Sequence, residues 1–241
     1  MILFISDLHL QASAPESAAA FMRFLDGPAR QAEALWILGD LFEFWIGDDD
    51  LGDPFHAAIA DALSQLSASG VRLKIMVGNR DFLLGQGFAR ASGGELVAEP
   101  AVLRQGNKTF VLVHGDAECT DDHAYQRYRR RIRSRFSVAL LRSLPLSWRR
   151  RLAQRIRQGS EFRKQREPSA YGDLSPTAVS ELLGRHDARY LIHGHTHRSA
   201  RHCFTLPDTR MAERWVLPDW HERARWLELG PEGLTFREEQ A

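Results

Sequence analysis

The chain has 241 residues, 44% of them hydrophobic and 26% charged, with 32 Lys/Arg against 31 Asp/Glu for a formal net charge of +1. This composition excludes a disordered, collagen-like or disulfide-stapled protein, and the two cysteines, Cys119 and Cys203, favour a reducing compartment. No apolar run approaches the roughly 20 residues of a membrane span and no basic n-region opens the chain, so a cytoplasmic protein is expected.

Short apolar runs that end in polar clusters mark buried strands at residues 2–6, 34–38, 73–77 and 110–113. Between them, Phe21, Phe24 and Leu25, then Ile59, Leu63 and Leu66, recur at helical spacing, and Ser69-Gly70 ends the second helix. Residues 101–104 and 109–113 flank Gly106-Asn107, a hairpin turn that makes a mixed sheet the expectation over a purely parallel one. From residue 122 to residue 168 helical periodicity takes over. Tyr125, Tyr128, Ile132, Phe136 and Leu140 share one stripe; Trp148, Leu152 and Ile156 share another, and Pro145 separates the two helices. Pro176 starts a further helix, residues 189–192 form a strand, and the tail reads as short strands at 203–206, 214–217, 225–229 and 234–237.

Five strand ends carry residues of metal-binding type: Asp7-Leu8-His9, Gly39-Asp40, Gly78-Asn79-Arg80-Asp81, His114-Gly115-Asp116 and His193-Gly194-His195-Thr196-His197. Functional groups of an α/β sheet collect beyond the carboxyl ends of its strands, so these separated strings converge on one place. Any one of them alone is more often a turn or a satisfied polar pair. Five in order, each after an apolar run, reverse that reading. The mixture of nitrogen and oxygen donors suits Mn²⁺, Fe²⁺ or Zn²⁺ better than Ca²⁺.

This order of motifs resembles the calcineurin-like metallophosphoesterases. The resemblance implies a four-layer α/β/β/α sandwich of two mixed sheets. It also implies two metals, one held by Asp7, His9, Asp40 and His197 and the other by Asp40, Asn79, His114 and His195, with Asp40 bridging. Two such cations about 3.5–4 Å apart clamp a phosphoryl group for in-line attack. The catalytic set is then Asp40, Asn79, Arg80, His114 and His195. Where many relatives have a histidine after the asparagine, this chain has Arg80, which cannot act as an acid near neutral pH but grips phosphate oxygens. A leaving group that is itself a phosphate needs little protonation, so Arg80 fits a pyrophosphate linkage.

The longer strings, residues 5–10, 37–42 with 45–50, 78–84, 114–116, 119–122 and 192–198, are similar to the UDP-2,3-diacylglucosamine diphosphatases of lipid A biosynthesis. What that family implies is cleavage to UMP and 2,3-diacylglucosamine 1-phosphate with two Mn²⁺, by water attacking the UMP-side phosphorus. It further implies substrate contacts at Asn79, Arg80, Asp122, Tyr125, Ser160, Lys164 and His195. Glu167 stands where the family often has a lysine, which leaves open which neighbouring cation compensates.

The segment 122–168 holds 15 Lys/Arg against Asp122, Glu161 and Glu167, a net +12, while the remaining residues, 1–121 and 169–241, carry 17 Lys/Arg against 28 Asp/Glu, a net −11. The near-neutral total is a cancellation. A basic amphipathic helix pair suits an anionic lipid or bilayer surface, and the expectation is a helical lid inserted in a phosphoesterase core. Its acyl-chain groove would be walled by Trp45, Phe82, Leu83, Tyr128, Ile132, Phe136, Leu140, Leu152 and Ile156, each desolvated methylene contributing about 0.8 kcal/mol. Expected partners are a glycolipid nucleotide and, peripherally, the cytoplasmic face of the inner membrane, with neither nucleic acid nor an obligate protein partner. Basic charge among aromatics also fits a nucleic-acid backbone, but Arg80 in place of histidine counts against that. Asp48-Asp49-Asp50 reads as a solvated acidic loop, and Asp116 as either an orienter of an imidazole or a turn cap.

Overall fold

The computed structural model describes residues 1–166 and 172–239, with side chains left undescribed from 157 to 166. Two mixed sheets lie face to face. The first takes β1 (Ile2–Ile5), β2 (Ala34–Leu38), β3 (Arg72–Met76), β4 (Glu95–Leu96), β10 (Arg225–Gly230) and β11 (Gly233–Glu238) in the order β11-β10-β1-β2-β3-β4. The second takes β5 (Ala101–Gln105), β6 (Lys108–Val113), β7 (Tyr190–His193), β8 (Ala200–Thr205) and β9 (Met211–Val216) in the order β5-β6-β7-β9-β8.

The pleat explains why the central strands read as unbroken apolar runs. In β1, Ile2 and Phe4 join Trp36, Leu38, Phe110, Leu112, Ile192 and Trp215 in the layer between the sheets. Leu3 and Ile5 face the other way, onto Phe21, Phe24, Ile59 and Leu63. Those last four sit on helices α1 (Pro15–Asp26) and α2 (Pro54–Ala68), which cover the first sheet together with α3 (Gln86–Ser92). In β6, Phe110 and Leu112 point between the sheets, whereas Val111 and Val113 meet Val179, Leu182 and Leu183 of α7 (Pro176–Arg185). A strand buried on both faces needs no polar alternation, and four layers result.

The hairpin forms where Gly106 and its φ of +58° expect it, with Gln105 opposite Lys108. Strand bounds differ from the sequence expectation by a residue or a few at the ends, most in the C-terminal strands, where polar residues complete the ladders.

The basic segment is three helices, not two: α4 (His123–Ile132), α5 (Arg135–Ser143) and α6 (Leu146–Arg166). The unexpected break lies at Arg133-Ser134, where the Ser134 hydroxyl accepts a hydrogen bond from the Ser137 amide at 3.2 Å and caps α5. The break resets the helical phase. On α5 it is Val138 and Leu141 that pack against the body, leaving Phe136 and Leu140 outside at 78% and 53% exposure.

Candidate metal centre

β1, β2 and β3 run parallel, as do β6 and β7, so their carboxyl ends share an edge of each sheet. The loops beyond those ends are stitched by main-chain hydrogen bonds. Asp7 N donates to Gly39 O at 3.1 Å, His9 N to Asp40 O at 3.1 Å and Gly194 N to His114 O at 3.0 Å. To face one point, five of the candidate ligands take left-handed backbone: Asp7 (φ +56°), His9 (+49°), Asp40 (+52°), His195 (+68°) and His197 (+56°). Such conformations cost energy and persist where the surroundings over-determine them. Glycine is required alongside. Gly39 has φ +92°, and a Cβ there would lie 2.5 Å from His114 Nδ1; a Cβ on Gly194 would collide with Ser6 Oγ and the Asp7 carboxylate.

The structure brings all seven expected ligands to this edge. One ligand atom from each of Asp7, His9 and His197 lies within 4.8 Å of the others, and the same holds for Asp7, Asp40 and His114. His9 Nε2 is 3.3 Å from His197 Nε2, His197 Nε2 3.4 Å from Asp7 Oδ1, His114 Nε2 3.0 Å from Asn79 Oδ1 and 3.7 Å from Asp40 Oδ2. His195 joins through its ring, 5.1 Å from that of His114, and its amide donates to Asp7 Oδ2 at 2.8 Å. The two tight groups overlap at Asp7, and Asp40 leans to the His114 side, its Oδ1 accepting from the Arg80 amide at 2.8 Å.

The donor set fits divalent cations on two grounds. Asp7 Oδ1 is buried and, among the described residues, receives no hydrogen bond, and carboxylates and imidazoles crowd where one charge must offset another. Burial works against a charged His114, yet Asp40, Asp7, Asp116 and Glu99 push it up to about 9. His197 is likewise pushed up to about 10, burial opposing and Asp219 and Asp7 prevailing. Burial and the neighbouring His114 drop His195 to about 4. Asp7 is the counterpart: burial opposes its ionisation, but His197, His114 and His9 hold it far below the usual carboxylate range. Protons occupy the positions a cation would take.

Around the ligands stand four further carboxylates, of which sequence reasoning misses all but Asp81. Glu43 approaches His9 Nδ1 at 3.2 Å and Arg80 Nη1 at 3.5 Å. Asp219 faces His197 Nδ1 at 3.3 Å, and Glu99 accepts from the His114 amide at 2.7 Å. Asp81 accepts from Leu41 N at 2.8 Å and Gly78 N at 2.6 Å, pinning two of the ligand-bearing turns together, while burial and Asp40 raise it to about 6. Glu43, Asp219 and Glu99 are carboxylates whose partners are distant in sequence, so no local pattern announces them, whereas Asp81 lies in the Gly78–Asp81 string that the sequence already marks.

A cavity opens from this edge under the basic helices. Its lining includes Glu43, Asn79 and Arg80, and with them Trp45, Phe82, Leu83, Tyr128, Ile132, Leu152 and Ile156, together with Phe44, Ile46, Leu141, Ala153 and Arg149. Phe136 and Leu140 are absent from that lining, which corrects their expected place: the break before α5 turns them outward, and Trp148 joins them at 62% exposure. Of the expected substrate contacts, Tyr125 donates its hydroxyl to Asp116 at 2.7 Å with its ring 6.3 Å from His195, and Asp122 caps α4 through the Tyr125 amide at 2.9 Å. Ser160, Lys164 and Glu167 fall outside the described side chains.

The acidic residues expected to play minor parts have larger ones. Asp116, rather than orienting an imidazole or capping a turn, is fully buried and clamps α4 and the turn after it, receiving Tyr125, Arg129 Nε at 2.8 Å and Arg133 Nη2 at 3.2 Å. The Asp48–Asp50 loop is no solvated cluster. Asp48 accepts from Trp45 Nε1 at 3.2 Å, Gly85 N at 2.9 Å and Gly87 N at 2.7 Å. Asp49 pairs with the buried guanidinium of Arg149, and Asp50 with His56 at 3.1 Å and Arg150 at 2.6 Å. The loop is the anchor of α6.

Comparison with known proteins places this geometry. The calcineurin-like phosphoesterase family model matches residues 1–199. A protein of Pseudomonas entomophila named UDP-2,3-diacylglucosamine hydrolase is 45% identical over 236 residues, covering 98% of each chain. One of the same name from Pseudomonas paraeruginosa is 46% identical over 232 residues, covering 96% of each. Among solved structures, an archaeal phosphodiesterase superposes with a TM-score of 0.48 at 12% identity, over 99% of this chain and 98% of that one, which at that score decides nothing. The chain belongs to the calcineurin-like phosphoesterase family, in the branch whose relatives carry the name UDP-2,3-diacylglucosamine hydrolase.

Proposed function

We propose that this chain hydrolyses the pyrophosphate bond of UDP-2,3-diacylglucosamine to UMP and 2,3-diacylglucosamine 1-phosphate. The observation that carries the reading is one cavity lined by two chemistries: Asn79, Arg80 and Glu43, which contact His114, Asp40 and His9 of the ligand cluster, and the largely apolar Trp45, Phe82, Leu83, Tyr128, Ile132, Leu152 and Ile156. A phosphate head joined to acyl chains matches that division, and the relatives named above act, by their name, on such a molecule.

Asp7, His9, Asp40 and His197 would hold one cation and Asp40, Asn79, His114 and His195 a second, in our reading both Mn²⁺. When bound, such a pair supplies charge neutralisation and Lewis acidity at the phosphoryl group. The chain's own residues do the rest. Arg80, its main chain fixed by Asp40 Oδ1 and by Trp45 N at 3.1 Å, offers its guanidinium to phosphate oxygens. The wall of the cavity excludes water from the acyl chains and sets their direction. Water attacks the UMP-side phosphorus, the new P–O bond forms, the bond to the bridging oxygen breaks, and the lipid phosphate leaves with that oxygen. Hydrolysis in ¹⁸O-water with Mn²⁺ tests this: label on UMP is expected, and label only on the lipid phosphate, or no release of UMP, overturns it.

The second part of the reading is location. Phe136, Leu140 and Trp148 point outward from helices rich in arginine, and among the described residues no helix is long and apolar enough to cross a membrane. The segment 122–168 would act as a lid that rests on the cytoplasmic face of the inner membrane, apolar side chains in the interface and arginines on anionic headgroups. Co-sedimentation with anionic vesicles should fall severalfold in a Phe136→Ser/Trp148→Ser variant; unchanged binding counts against this surface.

A further inference from the structure

Glu43 lies against both a ligand and the phosphate-gripping arginine. Its carboxylate is buried at 8% exposure, Oε2 lying 3.2 Å from His9 Nδ1 and Oε1 3.5 Å from Arg80 Nη1. The main chains of all three are already fixed. Glu43 N donates to Leu10 O at 3.1 Å, Leu10 N to Leu41 O at 2.9 Å and His9 N to Asp40 O at 3.1 Å, while Arg80 is held by its amide to Asp40 and by its carbonyl to Trp45. What those bonds leave free is the rotation of the His9 ring about its χ angles and the swing of the Arg80 guanidinium. Glu43 sets one carboxylate oxygen within ion-pair distance of each of these groups.

We propose that Glu43 is a positioning residue joining the ligand cluster to phosphate capture. With Oε2 3.2 Å from the buried Nδ1 of His9, which has no hydrogen-bond partner of its own among the described residues, the carboxylate favours the tautomer that carries the proton on Nδ1 and leaves the lone pair of Nε2 to face Asp7 and His197, as a carboxylate behind a ligating imidazole does. Its other oxygen draws the Arg80 guanidinium toward the ligand cluster. The 3.5 Å separation is an ion pair without a tight hydrogen bond, so an arriving phosphate takes Arg80 by offering a bidentate site in place of a single contact. The cation-binding arm needs only the residues around His9; the Arg80 arm rests on the phosphate substrate proposed above.

The test uses the full chain and two variants, Glu43→Gln and Glu43→Ala. Mn²⁺ titration of the metal-free protein by calorimetry should show affinity about 10- to 100-fold weaker in Glu43→Ala. Nitrogen-detected NMR should show His9 predominantly protonated on Nδ1 in the unsubstituted protein and mixed between tautomers in Glu43→Gln, which keeps the side-chain volume if the alanine variant fails to fold. With saturating metal, KM for the glycolipid nucleotide should rise severalfold in Glu43→Gln, and Glu43→Asp should restore part of the cation affinity. Unchanged Mn²⁺ affinity together with an unchanged His9 tautomer overturns the proposal. If both respond while no variant or parent protein releases UMP, the substrate reading falls and the positioning role stands.

Discussion

The ligand cradle and the basic helices are held to the same body by opposite means. In the cradle, Asp7 and His114 are fully buried, the backbone is forced left-handed at five residues, and main-chain hydrogen bonds cross from loop to loop. In α4 and α5 no residue is buried; Val138 and Leu141 are only partly buried against the body, and much of the hold is polar, Asp116 to Arg129 and Arg133, Asp49 to Arg149, Asp50 to Arg150. A constellation that must hold cations within fractions of an ångström needs redundancy, whereas a cover over a fatty ligand needs release. Regions with few buried apolar contacts open at lower free energy than the core.

The largest separation between the two regions should come from the cradle. Asp40→Asn, which keeps a residue tolerant of left-handed backbone, and His114→Ala should each cost several orders of magnitude in turnover while the circular dichroism spectrum and cooperative melting persist. Near-full turnover in metal-replete buffer would take that residue out of the site. Next, Asp116→Asn should free α4. Breaking a buried ion pair costs roughly 3–5 kcal/mol, so amides of α4 should exchange on the order of 100-fold faster or more, while those of β1 and β2 keep their protection and Mn²⁺ affinity stays within a few-fold. Equal loosening of both regions would erase the distinction.

A third effect is thermodynamic. His114 and His197, raised to about 9 and 10, hold protons at pH 7 in the metal-free protein and must lose them to ligate. Metal binding should release protons at pH 7, and its affinity should fall further as pH falls. Calorimetry in two buffers of different ionisation enthalpy reads this directly, and zero proton release would contradict it. The smallest effect concerns Glu118, which burial, with Glu99 and Asp116 nearby, lifts from 4.5 to about 7. A raised carboxyl favours its protonated form in the folded state, so this contribution is present below about 4.5 and is lost as pH rises through 7. Glu118→Gln should flatten the decline in stability over that window, as read by denaturant midpoints; an unaltered slope would dismiss it.

The cradle is legible in the sequence only as a set: each strand-end string alone reads as a turn or a satisfied polar pair, five in order reverse that reading, and the resemblance to the metallophosphoesterases selects Asp7, His9, Asp40, Asn79, His114, His195 and His197 among them. Most of the surrounding carboxylates are not legible. Glu43, Glu99 and Asp219 look like any acidic residue until the sheets bring His9, the His114 amide and His197 against them. The Asp48–Asp50 loop reads as solvent-facing because two of its partners, Arg149 and Arg150, lie 100 residues away. Phe136 and Leu140 continue the stripe of Tyr128 and Ile132 on paper, and only the cap at Ser134 shows that the helix has ended and begun again.

The left-handed ligands carry one more consequence. Aspartate and histidine are among the few residues other than glycine that enter that region readily, and they are also those that bind hard and borderline cations. At positions 7, 9, 40, 195 and 197 a single choice of residue therefore answers two demands at once, and the backbone rejects most replacements before coordination chemistry is consulted. β-branched side chains would be shut out by sterics alone, glycine would pass the first filter and fail the second, and asparagine would pass the first but bring a neutral oxygen where a charged carboxylate or an imidazole stood. Substitution drift at these five positions is thus narrowed twice over, whatever ion the protein holds.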